Sequence, residues 1–287
     1  MRTEERTWWP GWPCPVAQVL GPLRHGAGDP TFQREQGITW RGLRTPEGPA
    51  TLRLESRPGD GVVLASAWGS GAAWALESLP AMLGALDDYA GFEPGRHPAV
   101  ARLHRAHPHW RVPRTGLVLE ALLPAVIEQK VTGQESFAAY RRLVLRWGEP
   151  APGPGTARGL RVQPTPDVLG GLPSWEWLQL GVDGARARTV VGAARRAAAL
   201  ERTTALGHAE ADRALRSLPG VGAWTSAEVR ARAHGDPDAV SIGDYHVAQD
   251  IGFALTGERL DDSGLLELLE PFRGHRYRVQ RLVELAG

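Results

Sequence analysis

Two glycines separated by one residue are the feature that most constrains the fold of this chain. They lie in the segment Leu218-Pro219-Gly220-Val221-Gly222, between two stretches in which apolar residues recur at helical spacing. The proline ends the first helix, and the glycines allow a tight turn without a Cβ clash. The segment therefore predicts a hairpin that joins two helices.

The start of the second helix is a candidate anion site. This helix is predicted to begin near Thr225, so the backbone amides of Gly220, Gly222 and Ala223 lie at its N-terminus, where phosphate groups can bind. Amide contacts of this kind position DNA without reading its sequence. An ordinary corner between two helices is the alternative interpretation of the same pattern.

A single carboxylate follows the hairpin. Asp244 lies twenty residues after Trp224, directly before another segment of helical periodicity. An aspartate at such a place is most often a helix N-cap. The chemical alternative is that the carboxylate stabilises the positive charge that develops on deoxyribose when an N-glycosidic bond breaks. The same group could orient or deprotonate the attacking water.

Length, composition and charge limit the class of protein. The chain has 287 residues, of which 42% are hydrophobic, so it can form one large domain or two modest ones around a sizeable core. The formal net charge is only +1. Any surface that binds nucleic acid must therefore be local rather than spread over the whole molecule.

Two residue types that carry much of enzyme chemistry occur once each. Lys130 is the only lysine, so it is the only candidate for a lysine Schiff base. Cys14 is the only cysteine, which excludes a disulfide framework, a zinc cluster or an iron–sulfur cluster built from cysteines within one chain. The sequence has no run of about 20 apolar residues and no signal-peptide core near Met1, so we expect a cytoplasmic protein that does not enter a membrane.

Apolar patterning divides the chain into two parts. Residues 1–95 are mixed: two alternating segments, 50–55 and 61–68, flank a Pro-Gly-Asp-Gly turn, and residues 72–90 have helical periodicity. Residues 96–287 show helical periodicity almost throughout. We therefore predict an α+β fold, in which a small antiparallel sheet backed by a helix precedes an all-helical domain.

The sequence resembles the helix-hairpin-helix superfamily of DNA glycosylases, and within it the bacterial 3-methyladenine DNA glycosylase II branch. The resemblance runs from about Pro94 to the C-terminus and is weaker before that. Besides the hairpin and the aspartate, the matching segments are Phe92-Glu93-Pro94, Leu103–Ala106, Leu117–Leu122, Ile127–Thr132, Pro164-Thr165-Pro166, Leu180–Arg188 and Pro271-Phe272-Arg273.

The resemblance implies roles for the hairpin and its surroundings. Asp244 corresponds to the catalytic aspartate. The neighbourhood of the hairpin would grip the phosphate backbone of double-stranded DNA, at Gly220, Gly222, Ala223 and Thr225. The resemblance also implies a monovalent cation, sodium or potassium, on three backbone carbonyls and no other cofactor; these carbonyls belong to Arg216, Leu218 and Val221.

Further roles follow from the same resemblance. The loop that contains Gln129, Lys130 and Thr132 would enter the minor groove as the damaged nucleotide flips out of the helix. Trp224 stands where bifunctional relatives have a Schiff-base lysine. This implies a monofunctional enzyme that uses water, leaves an abasic site and has no lyase step.

The sequence departs from the family in the expected base pocket, formed by Trp224, Glu228 and Arg281. Relatives that take alkylated purines stack the cationic base on aromatic rings, but two of these positions are Glu228 and Arg281. Two alternatives follow for Glu228. Its charge could favour a cationic base, or it could pair with Arg281 and shrink the pocket.

The expected activity is therefore excision of a damaged, alkylated purine from double-stranded DNA by a monomeric enzyme. Three alternatives stay open at this stage. The chain could be a non-catalytic helix-hairpin-helix DNA-binding protein, a lesion sensor with an altered pocket, or a glycosylase for a different lesion.

Overall fold

The computed structural model describes residues 3–287 and begins with a five-stranded antiparallel sheet of order β1-β5-β4-β3-β2. The strands are β1 Glu4–Trp8, β2 Phe32–Glu35, β3 Ile38–Thr45, β4 Gly48–Arg57 and β5 Val62–Gly69. In β4, Leu52 and Leu54 are fully buried and lie opposite Ala67 and Ala65 of β5. This alternation is what predicted β4 and β5, and both strands are confirmed.

The other three strands were not predicted from the sequence. β1 is rich in polar residues and lies at the edge of the sheet, where only one neighbour and little burial are required of it. β2 and β3 form a tight hairpin at Gln36-Gly37, where both residues have positive φ. Their register is set by pairing with β4 rather than by their own periodicity.

The helix predicted over residues 72–90 is shorter and interrupted. It consists of α2 Ala72–Glu77 and α3 Leu79–Met82, after which Gly84 takes a left-handed conformation. The backbone then runs as turns to the second part of the chain, because Asp87 accepts hydrogen bonds from distant residues instead of continuing a helix.

The remainder of the described chain is mainly helical, as predicted, and the α+β layout is confirmed. After α1 Val16–Val19 in the first part, the helices are α4 Pro98–Ala106, α5 Val118–Ile127, α6 Gly133–Trp147, α7 Pro154–Ala157, α8 Pro166–Gly171, α9 Ser174–Leu180, α10 Gly184–Ala194, α11 Ala197–Glu201, α12 His208–Arg216, α13 Ala223–Val229, α14 Val247–Thr256, α15 Asp262–Leu269 and α16 Arg276–Glu284. A π-helical turn, Arg230–His234, continues α13.

One small ladder interrupts the helical part. Strands β6 Glu149–Pro150 and β7 Arg161–Val162 pair antiparallel beside β3 of the sheet. The contact with β3 is close: a Cβ at Gly42 would lie 2.1 Å from the carbonyl oxygen of Arg161. The second part is therefore not helical throughout: the segment expected to be a loop from Glu149 forms half of a short ladder that packs closely on β3.

The apolar core of the sheet continues into the helices that carry the hairpin. Ala227 and Ala231, on and just after α13, are buried in the same cluster as Leu52 and Val63 of the sheet, and Tyr277 of α16 joins them. Residues of α13 and α16 therefore share one apolar cluster with the sheet. The predicted boundary at residue 95 stays a prediction. Within residues 3–287, no helix combines the length and apolar character that crossing a membrane requires.

Candidate active site

The hairpin forms between α12 and α13, and Gly220 is required at its turn. Gly220 has φ +88°, and a Cβ there would lie 1.9 Å from Oγ1 of Thr189 on α10. Leu218 and Val221 flank it and are buried at 5% and 6% exposure. The side chains therefore anchor the turn inward, while its backbone faces the surface.

Gly222 plays a different part. It is the N-cap of α13, has φ −93°, and would meet no atom within 4 Å if it carried a Cβ. No side chain caps α13, so the first amides of this helix have no partner of that kind. Gly220, Gly222 and Ala223 are all exposed. The predicted anion site is thus an uncovered helix N-terminus.

Gln129 and Thr225 contact each other rather than open surface. The side-chain amide of Gln129 donates to the carbonyl of Gly220 at 2.9 Å and to Oγ1 of Thr225 at 2.8 Å. Thr225 is 2% exposed. These two predicted DNA contacts therefore fasten the loop after α5 to the hairpin, so that both move as one unit.

Lys130 is exposed at the tip of that loop and has φ +55°. Among the non-glycine residues that the structure describes, only Gln36 also has a positive φ, and conformations of this kind cluster at functional sites. Both sides of the loop are held. Arg186 donates to the carbonyl of Ile127 at 2.6 Å, and Thr132 caps α6 by exchanging hydrogen bonds with Glu135. Thr132 therefore has a capping role, and Lys130 projects from a fixed frame.

The two carboxylate oxygens of Asp244 have different hydrogen-bond partners. One carboxylate oxygen, Oδ1, accepts from the amides of His246 and Val247 at 2.8 and 3.2 Å and so caps the turn that leads into α14. The other, Oδ2, accepts the indole N–H of Trp224 at 3.1 Å. The capping bonds hold the half-exposed carboxylate beside the first turn of α13.

Of the two alternatives for Glu228, the pairing with Arg281 does not occur in the structure. Glu228 accepts the hydroxyl of Ser241 at 2.5 Å and pairs with Arg232, one turn further on, at 2.7 Å. Arg281 instead pairs with Glu284 on its own helix. Burial opposes the charge of Arg232, but the Glu228 carboxylate keeps the pKa of this guanidinium above its ordinary value. Helix periodicity favours each local pair at a spacing of three or four residues.

Three residues around the site were not identified from the sequence. The side chain of Gln280 bonds to both the backbone amide and the hydroxyl of Ser241. The two residues are 39 positions apart, so no local sequence pattern relates them. Tyr245 directly follows Asp244 and is 78% exposed. An aromatic residue beside a candidate carboxylate is a signal in the sequence that could have identified Tyr245.

The predicted cation ligands lie on one short stretch of backbone. The carbonyl of Leu218 already accepts the amide of Val221 at 3.0 Å, which leaves one lone pair free. The carbonyls of Arg216 and Val221 belong to the same turn. Carbonyl oxygens are the hard donors that alkali cations prefer, so the donor set fits such an ion. Among residues 3–287, no three His, Cys, Asp or Glu side chains group as metal ligands.

No protein-family model matches this sequence, and no curated protein sequence matches it. Solved structures do match. A 3-methyladenine DNA-glycosylase from Archaeoglobus fulgidus has a TM-score of 0.76 at 18% identity, with 99% of this chain and 97% of that chain covered. An 8-oxoguanine glycosylase/lyase from Clostridium acetobutylicum has a TM-score of 0.74 at 13% identity, with 100% and 99% covered.

A third match covers less of the chain. The 3-methyladenine DNA glycosylase Mag1 of Schizosaccharomyces pombe, solved with abasic DNA, has a TM-score of 0.54 at 16% identity. It covers 67% of this chain and 93% of that one. The first two matches extend over the sheet as well as the helices. The chain therefore has the fold of the helix-hairpin-helix DNA glycosylases along essentially its whole length.

Proposed function

We propose that this protein is a base-excision DNA glycosylase that hydrolyses the N-glycosidic bond of a damaged base in double-stranded DNA and leaves an abasic site. The observation that carries the proposal is the contact between Asp244 and Trp224, which brings a half-exposed carboxylate to the start of the helix that follows the hairpin. A DNA backbone bound at the hairpin amides would place a nucleotide near this carboxylate.

Asp244 supplies the electrostatic part of the chemistry. As the base leaves, the deoxyribose gains positive charge, which a nearby carboxylate stabilises. The two capping amides and the indole N–H fix this carboxylate before the reaction begins, so little reorganisation is needed in the transition state. Asp244 also orients or deprotonates the water that attacks the sugar.

DNA would be held at two places. The exposed amides around Gly220, Gly222 and Ala223 would receive phosphate oxygens, and Lys130 would enter the minor groove beside the flipped nucleotide. A sodium or potassium ion on the carbonyls of Arg216, Leu218 and Val221 would add positive charge at the same turn. These local contacts suit a protein with a net charge of only +1 that acts as a monomer.

A monofunctional reaction is proposed because α13 offers no amine to the sugar. Trp224 occupies the position next to Asp244, and the only lysine of the chain, Lys130, is at the exposed tip of the loop after α5. Water is then the nucleophile, and the DNA backbone is not cut. The proposed substrate is an alkylated purine, whose positive charge would favour the faces of Trp224 and the exposed ring of Tyr245.

The test compares base release by wild type and Asp244→Asn. Purified protein is incubated with methylated DNA and, separately, with a duplex that contains 8-oxoguanine, and released bases are identified by mass spectrometry. We expect Asp244→Asn to release base about 100-fold more slowly or worse, because a preorganised charge is lost. The DNA product should break only after alkali, as expected for an abasic site.

Asp261→Asn is the matched control. Asp261 caps α15 through the amide of Gly264 at 2.8 Å, as Asp244 caps the turn that leads into α14, but it has no contact with Trp224. This variant should retain the wild-type rate. Binding of damaged duplex without release of any base would instead support a DNA-binding or lesion-sensing protein. Release of 8-oxoguanine alone would replace the alkylated purine as the proposed substrate.

A further inference from the structure

Both carboxylate oxygens of Glu228 are engaged within the protein. Glu228 is 8% exposed. Oε1 accepts the hydroxyl of Ser241 at 2.5 Å, and Oε2 pairs with Arg232 at 2.7 Å. A carboxylate whose two oxygens are both engaged and whose charge is matched by a guanidinium is poorly suited to attract a cationic purine. It is well suited to fix the position of Ser241, whose hydroxyl it accepts.

Ser241 is held from two helices. Besides the bond from its hydroxyl to Glu228 of α13, its backbone amide donates to Oε1 of Gln280 on α16 at 3.0 Å. The amide nitrogen of the same Gln280 side chain donates to Oγ of Ser241 at 3.2 Å. Ser241 is 1% exposed, so these bonds form away from water, where leaving one unmade is costly.

Only two residues separate this anchor from Asp244. The carbonyl of Ser241 accepts the amide of Asp244 at 3.3 Å, which closes a turn around Gly243. Gly243 has φ +89°, and a Cβ there would lie 3.9 Å from Cβ of Trp224. The turn thus rests on Trp224, and its starting point is set by Ser241. Displacement of Ser241 would move the Asp244 carboxylate relative to the indole.

We propose that Glu228 is a positioning residue: together with Gln280 it clamps Ser241 and thereby holds the Asp244 carboxylate against the indole of Trp224. The clamp uses Glu228 as a hydrogen-bond acceptor rather than as a charge for the substrate. Its consequence for catalysis rests on the glycosylase function proposed above. Its consequence for the Asp244–Trp224 contact does not.

The first experiment is Ser241→Ala. Removal of the hydroxyl should slow single-turnover base release about 10- to 100-fold, since displacements of about 1 Å have effects of this size. The dissociation constant for duplex DNA should stay within about twofold, because no hairpin group is altered. The indole N–H resonance of Trp224, assigned by its absence in Trp224→Phe, should shift as its bond to Asp244 weakens.

Ser226→Ala is the matched control. Ser226 lies on α13, the helix of Glu228. It is fully buried and donates to the carboxylate of Asp212 at 2.7 Å. The variant Ser226→Ala therefore loses an equivalent buried hydrogen bond but alters no contact of the turn that contains Asp244. Base release and the Trp224 resonance should match wild type. Equal losses in both serine variants would overturn the clamp and indicate a general loss of packing.

Two substitutions of Glu228 distinguish its role as a hydrogen-bond acceptor from its role as a negative charge. Glu228→Gln retains an oxygen that can accept the Ser241 hydroxyl, whereas Glu228→Leu retains none. We expect Glu228→Gln to keep most of the rate that Glu228→Leu loses. Glu228→Leu combined with Ser241→Ala should be little slower than either alone, because both break the same bond. Equal rates for the Gln and Leu variants would refute the positioning role: if both are slow, the charge of Glu228 is what matters, and if both match wild type, neither its charge nor its acceptor oxygen does.

The two proposals fail in different ways. If wild type releases no base, the glycosylase function fails, but the Trp224 resonance still tests the clamp in Ser241→Ala. If wild type is active but the Trp224 resonance is unchanged in both Ser241→Ala and Ser226→Ala, the clamp is refuted while the glycosylase function stands.

Discussion

The two hairpin glycines should respond in opposite ways to the same substitution. Gly220→Ala places a residue with a Cβ at φ +88° and 1.9 Å from Oγ1 of Thr189, whereas Gly222→Ala meets no atom within 4 Å at φ −93°. The first change should damage the fold. The second should leave the fold intact and affect only what binds to the exposed end of α13.

The magnitudes follow from these geometries. A left-handed conformation costs an alanine about 1–2 kcal/mol, and overpacking adds about 1–3 kcal/mol. Gly220→Ala should therefore lower the free energy of unfolding by about 3 kcal/mol and Tm by about 5 °C. For Gly222→Ala, the cost of alanine at an N-cap and the stiffer unfolded chain nearly cancel, leaving a change within about 0.5 kcal/mol.

Gly222→Ala, the variant with the smaller effect on stability, should have the clear effect on DNA binding. A methyl group at residue 222 stands where a phosphate would meet the α13 amides, and one hydrogen bond to a charged group is worth about 1.5–3 kcal/mol. Gly222→Ala should thus raise Kd for duplex DNA about 10- to 100-fold. Thermal denaturation and fluorescence anisotropy measure the two quantities. Unchanged affinity in a folded Gly222→Ala would refute phosphate binding at this helix end.

Two further predictions concern stability. Arg278 and Asp87 form a fully buried ion pair at 2.7 Å, so Arg278→Met should lower the free energy of unfolding by about 3–5 kcal/mol, as measured by urea denaturation; a change below about 1 kcal/mol would contradict this. Burial lowers the pKa of His234 to about 4, against about 6.5 when unfolded, so the unfolded chain alone gains this proton and stability should fall by about 3 kcal/mol as pH drops from 6.5 to 4. His234→Gln should remove that slope in Tm against pH, the exposed His109→Gln should retain it, and identical slopes would refute the assignment.

Local sequence patterns were enough for the parts of the fold that local physics decides. Proline and a glycine with positive φ end a helix and turn the chain wherever they occur, so the hairpin and Gly220 were predictable. Alternation of Leu52 and Leu54 with polar neighbours predicted β4 for the same kind of reason. Asp244 before a helical segment predicted a cap, and its capping bonds are present.

Tertiary structure decided which side chains meet, because partners far apart in sequence are chosen by how helices and strands pack. Edge strand β1 has little pattern of its own and exists through pairing with β5. Gln129 was expected to face DNA but lies against the hairpin. Pairing of Glu228 with Arg281 was one of two alternatives, yet its partners in the structure are Ser241 and Arg232. The sequence thus determined the hairpin and the position of the carboxylate in the chain, whereas the tertiary structure determined that Ser241, near this carboxylate, bonds to both α13 and α16.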